Sequence, residues 1–472
     1  MVFSSVVFLL VFLPAVYLVN ALISRISKAN TAWSNGFLLL ASLIFYAWGE
    51  PILVLLMIGS ILLNWFCGRR IAASSGAGRK AWLCLAVLGD LAALGYYKYA
   101  GFLVSTVNDI LGREALTPLQ IALPIGISFF TFQAISYVVD VYREKTEASR
   151  HLLNTALYIS FFPQLIAGPI VKYRDINRQI ESRTVTWERT AEGFRRFVYG
   201  LGKKVLIANV LGKCVDLVYL EKPDLIDPRA AWSAAIAYMF QIYYDFSGYS
   251  DMAIGLGRMF GFDYLENFNY PYLSASVSEF WRRWHISLGT WFREYVYIPL
   301  GGNRKGKLRT ILNLAAVFLL TGLWHGAAIS FILWGAYHGF FILAERLGLK
   351  RLLDKSRIIG IVYCFAVVLF GWVLFRAEDP LTAVMLISRM VRPFHYAHIA
   401  AIPVGMYFNL KTAAALAAAV IGAGLLQKLI PEKWQAKWKG SVPEAVFCLV
   451  MLILCIAAVT GDTYNPFIYF QF

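Results

Sequence analysis

His325, in Thr321-Gly-Leu-Trp-His-Gly326, ends an apolar run. An ionisable side chain at membrane depth is costly and is rarely kept without a partner or a job. Histidine has an unperturbed pKa of about 6.5, so it exchanges protons near neutral pH. Where water is scarce, such a ring can serve as a general base between two compartments. The competing reading is a hydrogen-bonded core histidine, and residue type alone leaves both open. Tyr337-His338-Gly339 repeats the aromatic-His-Gly triplet of Trp324-His325-Gly326. His338 and Trp324 read as structural support. Gly322, Gly326, Gly335 and Gly339 lie around both triplets, and small residues let helix backbones approach closely.

A second cluster runs from Ser276 to Glu294 and carries His285, Arg282, Arg283 and Arg293. Trp281, Trp284, Leu288, Trp291 and Tyr295 recur at helical spacing, which predicts one amphipathic helix. The three arginines suit the phosphates of an acyl donor, because guanidinium makes planar, bidentate contacts. They equally suit an interfacial helix with snorkelling side chains. His285 is read either as a supporting catalytic group or as a structural hydrogen-bonding one.

Gln241-Ile-Tyr-Tyr-Asp-Phe-Ser-Gly-Tyr-Ser-Asp251 puts two carboxylates in an otherwise apolar helix. Asp245 and Asp251 differ in helical phase, so a simple acid/base pair is not expected. They are read as supporting residues that anchor the arginines of the next segment or cap broken helices. No tight His/Asp/Glu cluster accompanies them, so no metal is expected. Gly255-Leu-Gly-Arg-Met-Phe-Gly261 follows no strand, so it reads as helix packing, not a nucleotide loop. The six cysteines are scattered without a CxxC pair and read as small buried hydrophobes.

The elements that must position these residues are membrane helices. Of 472 residues, 59% are hydrophobic and only 15% charged, and the mean hydropathy is +0.60. A soluble chain carries about 25% charged residues. Apolar runs fall at roughly 3–23, 34–48, 51–66, 81–99, 121–140, 197–220, 230–256, 308–324, 328–345, 358–376, 411–427 and 443–460. Basic residues gather between alternate runs, for example Arg69, Arg70, Arg79 and Lys80, or Arg304, Lys305, Lys307 and Arg309. This positive-inside pattern predicts about twelve crossings with both termini extracytoplasmic. It also absorbs most of the net charge of +16, so nucleic acid is not expected as a partner. The rest of that charge suits anionic membrane lipid or a polyanionic donor. The first run lacks a basic leader and reads as a retained span.

Residues 152–190 and 271–303 are too polar to face lipid. They are expected to be re-entrant or interfacial segments lining a cavity. Asn465-Pro-Phe-Ile-Tyr-Phe-Gln-Phe472 is greasy and should dock, either against the bundle or in an outer pocket with the Tyr469 hydroxyl near the reaction centre.

These segments together resemble the membrane-bound O-acyltransferase (MBOAT) superfamily, in the bacterial branch of alginate and peptidoglycan O-acetyltransferase membrane subunits. The resemblance runs through Met1-Val-Phe-Ser-Ser5, Leu123-Pro-Ile-Gly-Ile-Ser-Phe129, Phe162-Pro-Gln-Leu-Ile-Ala-Gly-Pro169, Tyr244–Asp251, Glu279–Leu288, Leu300-Gly-Gly-Asn-Arg304 and Gly322–Gly326. It implies an all-α polytopic membrane protein with the MBOAT fold. About twelve transmembrane helices and re-entrant or interfacial helices would surround a central funnel, in a single domain over 1–472. His325 would be the catalytic histidine and His285 the second family histidine. Tyr469 would be a built-in acyl carrier, like the tyrosine on a separate partner in teichoic-acid D-alanylation.

The implied activity is transfer of an acetyl group from a cytoplasmic thioester, acetyl-CoA, with no bound cofactor. The destination would be an extracytoplasmic polysaccharide, through an SGNH-type O-acetyltransferase outside the bacterial cytoplasmic membrane. D-alanyl transfer to teichoic acid, transport of an acyl donor, and a scaffold role are the alternatives. The glycan and the oligomeric state are not encoded in any motif.

Overall fold

The computed structural model describes residues 1–27, 30–221, 225–396, 404–462 and 464–468. Tyr469, the acyl-carrier candidate, lies outside the described residues. Among those residues every regular element is helical and no strand occurs. Among the described residues five helices are long and apolar enough to cross a membrane: Phe8–Ile26, Val54–Ala73, Gly306–His325, Arg357–Arg376 and Val442–Gly461. At 1.5 Å per residue, 20 residues span about 30 Å of hydrocarbon. Thr31–Ala47, Ile127–Tyr142, Pro380–Val391 and Leu410–Gly424 are shorter apolar helices.

The chain divides into two compact units, residues 1–197 with 250–265, and residues 198–249 with 266–472. In the first, the polar stretch 152–190 forms short pieces, Leu152–Ser160, Phe162–Leu165 and Tyr173–Glu181. Arg183 ties them down: it donates to Asn35 Oδ1 at 2.6 Å, Ser34 Oγ at 2.9 Å and the Phe260 carbonyl at 3.1 Å. Arg174 pairs with the fully buried Asp140 at 3.1 Å. The glycine-rich stretch near residue 255 serves packing. A Cβ on Gly255 would lie 2.5 Å from the Gly193 carbonyl oxygen, so only glycine allows that crossing.

In the second unit, Gly306–His325 and Ile329–Ala344 form a tight antiparallel pair. A Cβ on Gly322 would meet the Phe331 carbonyl oxygen at 2.2 Å, and one on Gly335 would meet that of Phe318 at 2.3 Å. The glycines around the two triplets therefore set the helix spacing that carries His325. The run predicted over 411–427 is a helix that breaks at Gly424, whose φ of +128° suits glycine.

The predicted single helix over 276–294 is two. Val277–Arg283 and Ile286–Phe292 meet at His285, whose φ/ψ of 47°/53° is left-handed. Helical periodicity continues across the break, so the sequence hides it. Asn267 supplies what the broken backbone lacks: its carbonyl accepts from Ile286 N at 3.0 Å and its side-chain oxygen from Ser287 N at 3.1 Å. The first short helix is capped at both levels. Ser276 Oγ accepts from Glu279 N at 3.0 Å, and Glu279 reaches back to Ala275 N at 2.9 Å. Buried Glu345 accepts from Val277 N at 2.6 Å and Ser278 N at 2.9 Å.

Candidate active site

His325 is the last residue of Gly306–His325 and is 4% exposed. Its ring lies edge-on to Trp324, Trp334 and Phe375, with centroids 4.9, 5.1 and 5.2 Å away. Gly326 must be a glycine for this cage to close, because a Cβ there would sit 2.1 Å from the Phe331 ring. The aromatic walls exclude water, and an imidazole in such a place is a stronger partner for a developing charge than one in bulk solvent.

His285 is 2% exposed, and its ring centroid is 6.0 Å from that of Trp324. Its Nδ1 is 3.2 Å from Asn267 Oδ1. That oxygen also accepts from Ser287 N, which can only donate, so the amide orientation is fixed. His285 Nδ1 must therefore donate, and Nε2 carries the lone pair. Phe246 packs edge-on at 4.6 Å. Burial, with His325 adding to it, holds the His285 imidazole well below the ordinary range, so this ring is neutral.

A cavity of about 360 Å³ leads to His285. Trp281, Leu288, Phe292 and Phe318 form apolar walls, and Thr321, one turn before His325, lines it as well. Arg282 and Arg293 line it and are exposed. Arg283 does not line it. Its guanidinium pairs with Glu279 at 2.8 Å and donates to the Asn269 carbonyl at 3.3 Å. Of three predicted donor-binding arginines, two rim the cavity and the third holds the short helix together.

The remaining predicted residues lie elsewhere. His338 is fully buried among Trp281, Trp334 and Tyr337, at 5.0, 5.0 and 5.3 Å. It is packed, and among the described residues neither ring nitrogen has a hydrogen-bond partner. Asp251 pairs with Arg196 at 2.8 Å. Asp245 pairs with Lys204 at 2.5 Å, both 2% exposed. Both carboxylates thus pair with cations from the preceding segment. Among the described residues no group of acidic, His and Cys side chains could hold a metal.

Asp245 and Lys204 also hold the C-terminal segment. Ile468 N donates to Asp245 Oδ2 at 2.9 Å, Lys204 Nζ donates to the Pro466 carbonyl, and Phe467 stacks on Tyr249 at 4.5 Å. Further back, Asn209 donates to Asn465 Oδ1 at 3.1 Å and Tyr464 to Asp216. The expected docking of this greasy segment is real through Ile468.

Residues 127–378 match the model of the MBOAT, membrane-bound O-acyltransferase family. A Pseudomonas aeruginosa protein named "Probable alginate O-acetylase AlgI" is 40% identical over the whole of both chains. The chain belongs to the membrane-bound O-acyltransferase family. The peptidoglycan O-acetyltransferase of Helicobacter pylori is 35% identical over 83% of this chain and 80% of its own. The teichoic acid D-alanyltransferase of Bacillus subtilis is 28% identical over 58% of this chain and 70% of its own. This MBOAT protein is an O-acyltransferase of the membrane, and the aromatic-caged histidine, the neutral second histidine and the arginine-rimmed cavity are its candidate catalytic parts. Sequence reasoning missed Asn267, Trp334, Phe375 and Lys204. Asn267 sits in Glu266-Asn-Phe-Asn269, which reads as any turn, and Lys204 as one more basic residue among Lys203 and Lys213.

Proposed function

We propose that the protein moves an acetyl group from cytoplasmic acetyl-CoA through the membrane for O-acetylation of an extracytoplasmic polysaccharide. The observation that carries this reading is the pair of histidines packed against Trp324, one of them lining an apolar-walled cavity that Arg282 and Arg293 rim. Relatives named for O-acetylation of alginate and peptidoglycan over nearly full length support acetyl over D-alanyl as the group transferred.

In this reading the donor phosphates meet Arg282 and Arg293, and the thioester enters the apolar cavity. An acceptor hydroxyl attacks the thioester carbonyl while His325 takes its proton. The C–S bond breaks, and the thiolate leaves with that proton as the free thiol. General-base help of this kind contributes about 10²–10⁴ in rate. His285, neutral and held through Nδ1, lends its Nε2 lone pair to the same pocket. The first acceptor is the Tyr469 hydroxyl, next in sequence to the docked Ile468. A separate SGNH-type transferase then passes the acetyl to the glycan. About twelve crossings around a central funnel, in the bacterial cytoplasmic membrane with both termini outside, complete the picture as one membrane domain.

The test is to incubate purified protein with radiolabelled acetyl-CoA and to map label by mass spectrometry. Label on Tyr469 that disappears in Tyr469→Phe supports the reading. Turnover without label on any residue would mean direct transfer to an external acceptor, and no turnover of acetyl-CoA at all would remove it as donor.

A further inference from the structure

A second cavity, of about 660 Å³, lies within the first unit, where the helix Val54–Ala73 ends beside the turn that follows Ile127–Tyr142. Arg69, Arg79, Lys145 and Arg150 line it together with Glu144 and Glu147. Four cations against two carboxylates leave the hollow positive. Arg79 is already spent. It pairs with Glu144 at 2.6 Å and donates to the Tyr142 carbonyl at 2.8 Å, which ties the turn to the start of Gly76–Leu94. Arg69, Lys145 and Arg150 are exposed, and among the described residues none of them forms an ion pair. Glu147 is the lining carboxylate left to face them.

An apolar track leads to this hollow. Leu55, Leu62, Phe66 and Arg69 recur at helical spacing, so they share one face of Val54–Ala73. Leu55, Leu62 and Phe66 are exposed, as the lipid-facing residues of a spanning helix must be. Arg70 turns onto the Phe66 and Trp82 rings instead, at 5.2 and 5.8 Å. A hydrocarbon face that runs into three unpaired cations suits a ligand with an apolar body and an anionic head. Guanidinium and ammonium groups both bind phosphate well, the former in a bidentate manner. By the positive-inside rule this end of the span is the cytoplasmic one, and basic pockets between helices on that side take anionic lipid heads.

We infer that this cavity holds the phosphate head of an anionic glycerophospholipid. Its acyl chains lie along Leu62 and Phe66, and its phosphate meets Arg69, Lys145 and Arg150. Bound in this way, the lipid bridges the end of Val54–Ala73 to the turn at 145–150. The site is separate from the arginine-rimmed cavity at His285 and is independent of which acyl group the protein transfers.

The test is native mass spectrometry of the full chain in detergent, titrated with phosphatidylglycerol and with phosphatidylcholine of the same acyl chains. Phosphatidylglycerol is expected to bind about tenfold more tightly. Arg69→Gln, Lys145→Gln and Arg150→Gln each remove one exposed charge, so all three variants should fold. Each should raise the phosphatidylglycerol Kd about fivefold, the worth of one basic side chain beside an anionic lipid. Lys437→Gln, an equally exposed change on the helix Glu432–Trp438, should leave that Kd unaltered. Equal affinity for the two lipids, or cavity variants no weaker than Lys437→Gln, would overturn the inference. Displacement of the lipid by inorganic phosphate would mean a site for a free anion, and displacement by coenzyme A a donor site; either would overturn the lipid assignment.

Discussion

Asp245→Asn should release the C-terminal segment. Asp245 and Lys204 form a contact of 2.5 Å with both side chains 2% exposed, and each also bonds the tail, Asp245 to Ile468 N and Lys204 to the Pro466 carbonyl. The asparagine keeps an oxygen for Ile468 but leaves Lys204 as an uncompensated buried charge. Breaking one side of such a pair costs about 3–5 kcal/mol. Lys204→Met leaves the opposite charge stranded and should cost a similar amount. Lys204→Met with Asp245→Asn removes both charges and should cost no more than about 2 kcal/mol, because paired buried charges contribute little net stability. The coupling energy is therefore several kcal/mol.

The assay is hydrogen exchange of the Ile468 amide in nanodiscs, beside thermal unfolding. At about 1.4 kcal/mol per tenfold, each single substitution should speed exchange about 10²- to 10³-fold. Exchange within threefold of the parent in Asp245→Asn, or additive effects in the double variant, would refute the idea that this pair holds the tail.

Other expectations follow from the same geometry. Asn267→Ala removes the fixed acceptor of His285 Nδ1 and should lower kcat about 10²-fold with little change in donor KM, since small misplacements of catalytic groups are that costly; an unchanged kcat would make His285 structural. Arg282→Ala and Arg293→Ala should raise the KM for acetyl-CoA about tenfold each, whereas Arg283→Ala, whose guanidinium is spent on Glu279, should leave KM alone and lower the melting temperature slightly. Gly335→Ala places a Cβ 2.3 Å from the Phe318 carbonyl oxygen and should destabilise the fold by about 1–3 kcal/mol, read as a lower melting temperature. His285 is held neutral in the fold, so the unfolded chain binds the extra proton first. Stability should be full above about pH 6.5 and fall as pH drops toward the depressed folded value, and His285→Gln should flatten that dependence.

Membrane character was legible in the sequence, because 20-residue apolar helices are written directly in composition. So was the importance of the glycines around His325, since only close helix contact explains so many small residues there. The cap at Ser276 is a structural finding, although the Ser-x-x-Glu spacing carries its signal. The break at His285 was not legible. Trp281, Trp284, Leu288 and Trp291 keep helical phase on both sides, and the residue that rewards the break, Asn267, is distant in sequence. The roles of Asp245 and Asp251 were half legible. Charges in an apolar helix must be paired, but the sequence does not say that Lys204 and Arg196 are among the partners. Trp334 and Phe375 were invisible as a cage because aromatic residues occur throughout this chain.

If His325 is the base, its loss must slow acyl transfer itself. The direct measurement is the single-turnover rate of label transfer from acetyl-CoA by His325→Gln in nanodiscs, with near-native circular dichroism and melting temperature as the check on folding. The expected rate is about 10²- to 10⁴-fold below the parent, with the melting temperature preserved. A folded variant that transfers label within a few-fold of the parent rate would contradict it.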